Sequence, residues 1–427
     1  MSMTRVVTGI TTTGTPHLGN YLGAIKPAIE ASQDPQMSSF FFLADYHALI
    51  KCHDPERVAR STQEIAATWL ALGLDTDKAT FYRQTDVPEI TELTWILTCM
   101  CSKGLMNRAH AYKASVDANR EAGKKDLDDG VTMGLFGYPI LMAADILMFN
   151  AHKIPVGKDQ IQHIEMARDI AGKFNHTYEP LFVMPDAQVD EDTQLIPGLD
   201  GRKMSKSYDN TIPLFCTSDE LRALINRIKT DLRAPGEAKD ADSSTIFQLY
   251  SLFASEDEKA AMRASFEQGI AWGDAKRELF EFLDAKLAAP RARYQELMNN
   301  LDEVEAVLQK GALKARAEAA PLLQKVRIAA GIRPLTYVAP KEDNATSKQK
   351  ELTPEERARI EEGRRRAILR PVQSLLDQVA EAKDSAKEAQ SIIAAKELEA
   401  ESLKKKARQK ADNEIEALKA EWQDLLA

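Results

Sequence analysis

The sequence predicts an α/β fold: a parallel sheet wrapped in helices with a helical insertion, then an α-helical domain and a helical C-terminal extension. Three observations predict it. Short β-branched or apolar runs alternate with helical spacing near the N-terminus, the pattern of βαβ units. From about Ser218 to Gly331 acidic and basic residues interleave around apolar stripes. From Pro354 to Ala427 the chain is rich in Ala, Glu, Lys, Arg and Leu, the composition of long helices.

Each element follows in order. Arg5–Ile10 reads as a strand that runs into a loop of turn formers, Thr11-Thr12-Thr13-Gly14-Thr15-Pro16. Asn20–Ile29 has helical spacing at Tyr21, Leu22, Ile25 and Ile29. Ser39–Ala44 is almost wholly apolar, as a strand covered on both faces must be. Arg57–Leu74 is helical and Ala79–Arg83 strand-like. Helical signals dominate from Pro88 to Asn150, and Ile154–Val156 and Leu181–Met184 read as further short strands. Tyr337–Lys350 is rich in polar residues and reads as a linker. In the tail, Ile415, Leu418, Trp422 and Leu425 follow heptad spacing, which predicts packing on the same chain or on a second copy.

Composition narrows the function classes. The chain has 427 residues, enough for two or three domains. No apolar run is long enough to span a bilayer and no secretory signal opens the sequence, so a cytoplasmic protein without a membrane partner is expected. The four cysteines, Cys52, Cys99, Cys101 and Cys216, fit no metal spacing and are too few for a disulfide scaffold; no metal site is expected. A net charge of −9 gives no support to a nucleic-acid partner. A local basic face remains compatible with it.

Four segments carry chemistry. Thr11–Asn20, TTTGTPHLGN, takes a strand through a glycine loop into a helix start, where free backbone N–H groups attract phosphate. His17 and Asn20 add side-chain donors. Gly201–Ser207, GRKMSKS, places two ammonium groups three residues apart in a polar loop able to close over a polyphosphate. Tyr138–Phe149 is apolar apart from Asp145. A buried carboxylate needs a donor, either an internal partner or a ligand's N–H. Val156–His163 places Gln160 and His163 on one face of a helix start, with Asp159 as a cap or a ligand contact.

Together these residues resemble the class I aminoacyl-tRNA synthetases. His17-Leu18-Gly19-Asn20 stands where that family has its HIGH signature, with Asn20 in place of the last histidine, and Lys203–Ser207 is its KMSKS signature. Gly-Asn at that point, the stretch YPILMAADIL and the segment VGKDQIQH resemble the bacterial-type tryptophanyl-tRNA synthetases. The resemblance runs from about Arg5 to Arg333.

It implies a Rossmann-like catalytic domain over 1–205 with a helical insertion at about 88–137. A helical anticodon-binding domain would follow over 206–336, then a linker over 337–353 and a helical extension over 354–427. It implies ATP, with Mg2+ that needs no dedicated protein ligands, and L-tryptophan and its cognate tRNA as substrates of a homodimer. Thr11, Thr12, Thr13, Gly19 and Asn20 would hold the nucleotide, with Gly157, Lys158 and Asp159 at the ribose. Either Leu195 or Ile196 would touch adenine. Lys203, Met204, Ser205, Lys206 and Ser207 would close over the phosphates, where His17, Lys113, Lys203 and Lys206 act in catalysis. Asp145 would take the indole N–H, with Met142 against the ring and Tyr138, Gln160 and His47 completing the amino-acid pocket. A tyrosine-specific enzyme and a non-catalytic paralogue are the alternatives. The basic runs Arg364–Arg366 and Lys404–Lys410 are either tRNA contacts or solvated helix faces.

Overall fold

Strand β1 (Thr4–Thr11) is the middle of five parallel strands. It pairs along its whole length with β2 (Met37–Ala44), which pairs in turn with β3 (Thr80–Arg83). On its other side it meets β4 (Lys153–Pro155), and β4 meets β5 (Asp186–Gln188). The computed structural model describes residues 3–189, 196–337, and 368–426 apart from 370, 371, 383, 402 and 404. These fall into two units, Met1–Leu335 and Thr336–Ala427.

The apolar runs explain the sheet. Successive side chains of a strand point to opposite faces. Phe40, Phe42, Ala44 and Tyr82 enter one core with α5 (Glu89–Met100), α8 (Met133–Leu147) and α9 (Ile161–Thr177). Phe41, Leu43 and Phe81 enter the other, against α4 (Pro55–Ala71) and α14 (Leu301–Ala329). Between β1 and β2 the chain forms α1 (Leu18–Asn20), a π-helical turn (Tyr21–Ile25) and α2 (Lys26–Ala31), where simple helical spacing predicts one helix. The insertion between β3 and β4 carries α5, α6 (Lys103–Met106), α7 (His110–Glu121) and α8. The third core gathers Leu18, Ile196 and Met204 with α10 (Ser218–Asn226), α11 (Thr245–Ser251), α12 (Glu256–Glu267) and α13 (Trp272–Asn299).

Leu181–Met184 is not a strand. Asn175 Oδ1 accepts from the Leu181 and Phe182 N–H groups and Asn150 Oδ1 from that of Val183, so side chains take the donors a neighbouring strand would need. The strand forms just beyond, where Asp186 pairs with Lys153. Most of the linker reading, 338–350, lies outside the described residues. The second unit contains α15 (Gln373–Glu381), α16 (Ser385–Glu401), α17 (Lys405–Glu421) and α18 (Gln423–Leu426). Its own core holds Val379, Ile393, Ile415, Leu418 and Trp422, which assigns the first three positions of the heptad seam to packing within the chain; Leu425 stays exposed.

Candidate active site

The candidate residues gather where parallel strands end. The glycine loop follows β1, the short helix α3 (Asp45–Ala48) follows β2, Gln84 follows β3, and Gly157–Gln160 follow β4. Ligands of open parallel sheets bind beyond the carboxyl ends of the strands, where the strand order reverses, and here it reverses at β1.

The glycine loop is sewn to the lysine loop and to the segment that follows it. The Leu18 N–H donates to the Ile212 carbonyl at 3.0 Å and that of Leu214 to Pro16 at 3.0 Å. The Gly19 N–H points at Met204 Sδ, 3.3 Å away. His17 and Asn20 cap α1 reciprocally: His17 N–H donates to Asn20 Oδ1 at 3.1 Å, and Asn20 N–H to His17 Nδ1 at 3.3 Å. Asn20 therefore locks the turn. Because Nδ1 accepts, the proton of the neutral ring sits on Nε2. Burial first, then Lys206, push the His17 pKa down to about 4, so the ring is neutral near pH 7. A Cβ on Gly19 would stand 2.9 Å from the His17 ring, which explains the glycine.

Asn210 holds the lysine loop in shape. It is buried, accepts the Ser205 N–H at 2.8 Å, and donates to Asp200 Oδ1 at 2.7 Å and to the Lys203 carbonyl at 3.1 Å. The Met204 N–H donates to the Ile196 carbonyl at 2.8 Å, and Ser207 N–H to Ser205 Oγ at 3.3 Å. Lys203 and Lys206 stay exposed. Ile196 is buried beside Met204 in the third core, whereas Leu195 lies outside the described residues. Thr11 is exposed, Thr13 gives its carbonyl to Arg57, and Thr12 is buried with no hydrogen-bond partner for its hydroxyl among the described residues.

Asp145 is 1 % exposed on α8. Gln84 Nε2 donates to its Oδ1 at 2.7 Å and its Oδ2 at 3.0 Å, and His47 Nε2 lies 2.9 Å from Oδ2. Burial raises the carboxyl pKa, and the hydrogen bonds from His47 and Gln84 oppose that rise. A carboxylate has about four lone-pair sites. The two donor groups make three contacts, which leaves room for one more. Met142, one helical turn earlier, is half-buried. Tyr138, on the same helix, starts a relay: its hydroxyl meets His163 Nε2 at 2.9 Å, and His163 Nδ1 meets Gln160 Oε1 at 2.8 Å. The amide oxygen only accepts, so His163 Nδ1 donates and the Tyr138 hydroxyl donates to Nε2. Burial and His110 lower the His163 pKa and keep that neutral form.

Gln160 Nε2 closes the relay on Asp159 Oδ2 at 2.6 Å, so both ends of that amide are engaged inside the protein. Asp159 also folds over Gly157, where a Cβ would come within 2.7 Å of its carboxylate. Lys158 and Asp159 are exposed. Lys113 is exposed on α7, and no hydrogen bond or ion pair joins it to either loop among the described residues. Gln84 and Asn210 are the residues that motif reading missed. Gln84 had one signal: it is the polar residue directly after a strand's carboxyl end. No group of three or more potential metal ligands occurs among the described residues.

The arrangement offers phosphate donors on two joined loops and, at a second point, a buried acceptor in an apolar helix. Comparison with known proteins gives the family. The profile of the tRNA synthetases class I (W and Y) matches residues 2–288. The Tryptophan--tRNA ligase of Pseudomonas aeruginosa is 62 % identical over 335 residues, 78 % of this chain and 75 % of that protein. That of Neisseria meningitidis is 58 % identical over 78 % of this chain and 100 % of its own length. The crystal structure of the Campylobacter jejuni tryptophanyl-tRNA synthetase complexed with ADP and tryptophan aligns with a TM-score of 0.71 at 39 % identity, covering 77 % of this chain and 99 % of that one.

Proposed function

This chain belongs to the class I tRNA synthetases of the tryptophan and tyrosine family, and we infer that it is a tryptophan–tRNA ligase of the bacterial type. It joins L-tryptophan to ATP as the adenylate, then passes the acyl group to tRNA. The observation that carries this reading in the structure is Asp145: a buried carboxylate with one lone pair to spare, in a chain whose glycine loop is bound to the lysine loop and the segment after it. The indole N–H can only donate and is suited to that last lone pair.

In the first step a carboxylate oxygen of tryptophan attacks the α-phosphorus of Mg-ATP, and the bond to the β-phosphate oxygen breaks. Mg2+ arrives with the nucleotide as part of the substrate. The protein's share is positioning and charge stabilisation. Thr11, Thr12, Thr13, Gly19 and Asn20 hold the nucleotide from the glycine loop, Gly157, Lys158 and Asp159 from the end of β4, and Ile196, Met204, Ser205 and Ser207 from the lysine loop. His17 Nε2–H, Lys113, Lys203 and Lys206 face the phosphates. Lys113 makes no hydrogen bond or ion pair to either loop among the described residues, so in this reading it meets the phosphates through the nucleotide itself. Tyr138, Gln160, Met142 and His47 line the amino-acid end. In the second step a ribose hydroxyl of the tRNA terminus attacks the carbonyl and AMP departs.

A homodimer fits an apolar hollow of about 750 Å3 on the insertion, lined by Trp95, Cys101, Met106, Met133 and Phe136. Trp95 and Met133 are 69 % and 79 % exposed there, large apolar groups of the kind interfaces cover. Residues 206–336 serve as the anticodon-binding part in this reading. Amino-acid-dependent exchange of pyrophosphate into ATP tests the function: tryptophan should support it and tyrosine should not. Exchange with tyrosine alone, or with neither amino acid, would refute it.

A further inference from the structure

A hollow of about 330 Å3 lies between the glycine loop, the start of α4 and the lysine loop. Its lining includes Gly14, His17, Arg57, Arg60, Glu64 and Lys206. The charges there do not balance. Glu64 is buried, accepts the Thr15 hydroxyl at 2.6 Å and pairs with Arg60 Nε at 2.8 Å. That leaves Arg57 and Lys206 with no carboxylate partner among the described residues. Arg57 is tethered instead: its Nη2 donates to the Thr13 carbonyl at 3.2 Å, which fixes the guanidinium at the loop. Lys206 Nζ lies 2.8 Å from the place where a Cβ on Gly14 would stand, so the glycine opens the passage that the ammonium fills. Loss of water first and then the nearby Arg57 lower the Lys206 pKa, and the Glu64 carboxylate, already engaged by Arg60 and Thr15, opposes that fall without reversing it. His17 adds the neutral Nε2–H donor without further charge.

Every unclaimed polar group named here donates, and the surplus is two positive charges: Arg57, Arg60 and Lys206 against Glu64. Such a site takes a multiply charged oxyanion. Its volume is at the low end for ligand pockets, about 300–1,000 Å3, and its other walls, Thr15, Ser61, Thr211 and Pro213, offer no aromatic face for a base. We infer that Arg57, on the α4 side of this hollow, is a further residue that binds the leaving pyrophosphate. The inference rests on the reading of Lys206 as a phosphate-facing lysine. It adds the α4 side of the loop, which the two signature motifs do not include.

The test uses the full chain carrying preformed tryptophanyl-adenylate, mixed with increasing pyrophosphate, with ATP formation as the readout. Arg57→Gln should raise the half-saturating pyrophosphate concentration about tenfold or more, the loss of one charge-assisted contact. Arg57→Lys should recover much of it. Arg57 is exposed and makes one backbone hydrogen bond, and tryptophan affinity by calorimetry, which its site does not touch, reports that the variant is folded. An unchanged pyrophosphate dependence in Arg57→Gln overturns the inference. So does a defect confined to the Michaelis constant for tRNA, which would give the arginine to a tRNA phosphate. If the wild-type chain makes no ATP from adenylate and pyrophosphate, the catalytic reading itself falls, a different result from either.

Discussion

Asp145 is a carboxyl group that water does not reach; burial pushes its pKa up, and its partners oppose that rise. Gln84 and His47 stabilise the ionised form, and the remaining lone pair selects a donor. Asp145→Ala should weaken tryptophan binding by about 1–3 kcal/mol, because the indole N–H would then be buried unpaired. Calorimetry should show that loss with ATP binding nearly intact. Lys206→Ala should do the reverse: the barrier to adenylate formation rises by about 2–4 kcal/mol, since the charge it meets develops during reaction, while tryptophan binding holds. Equal tryptophan affinity in wild type and Asp145→Ala would remove the indole assignment, and an undiminished exchange rate in Lys206→Ala would remove the lysine. Both residues were legible because each breaks a local pattern, an acid in an apolar helix and a cation pair in a polar loop. Gln84 was missed, because its one signal, a polar residue at a strand's carboxyl end, is shared with many surface residues until the fold buries it.

At the scale of elements, the fit of α14 on β3 shows which forces matter. Partly exposed ion pairs join this helix to the sheet side, Arg83 with Glu305 and Arg316 with Glu89 among them. Such pairs contribute about 0–1 kcal/mol each. Gly311 matters more, because a Cβ there would stand 1.6 Å from the Phe81 carbonyl oxygen. Gly311→Ala gains about 1 kcal/mol of helix propensity and loses about 1–3 kcal/mol or more to overpacking against a backbone that cannot turn away. The denaturation midpoint should therefore fall, and an unchanged or higher midpoint would show that the helix stands further off. Spacing and composition found the helices and four of the strands, since burial on two faces leaves apolar runs. They misplaced β5, where Asn150 and Asn175 took over the backbone of the more apolar segment, and they could not show the π-helical turn at Tyr21–Ile25, whose residues look the same as those of an α-helix.

The whole molecule divides into a catalytic unit and a tail that each bury their own core. A chain ending near Pro340 should therefore keep tryptophan-dependent pyrophosphate exchange. A clear drop would mean that the tail supports the catalytic body. Among the tail's basic residues, Arg408 and Lys410 are exposed on α17, with Lys410 3.7 Å from Glu414, while Arg364–Arg366 lie outside the described residues. A second consequence concerns the order in which the chain is made. β1 is synthesised well before β4, yet it is the middle strand, and among the described residues one of its two edges is met by the region around His152 and Lys153. At roughly 5–20 residues per second, a nascent chain waits on the order of ten seconds between those events. During that time an unpaired strand edge is open to other chains. Ribosome-bound intermediates that stop before β4 should be the ones that chaperones hold, and those that extend past it should be released.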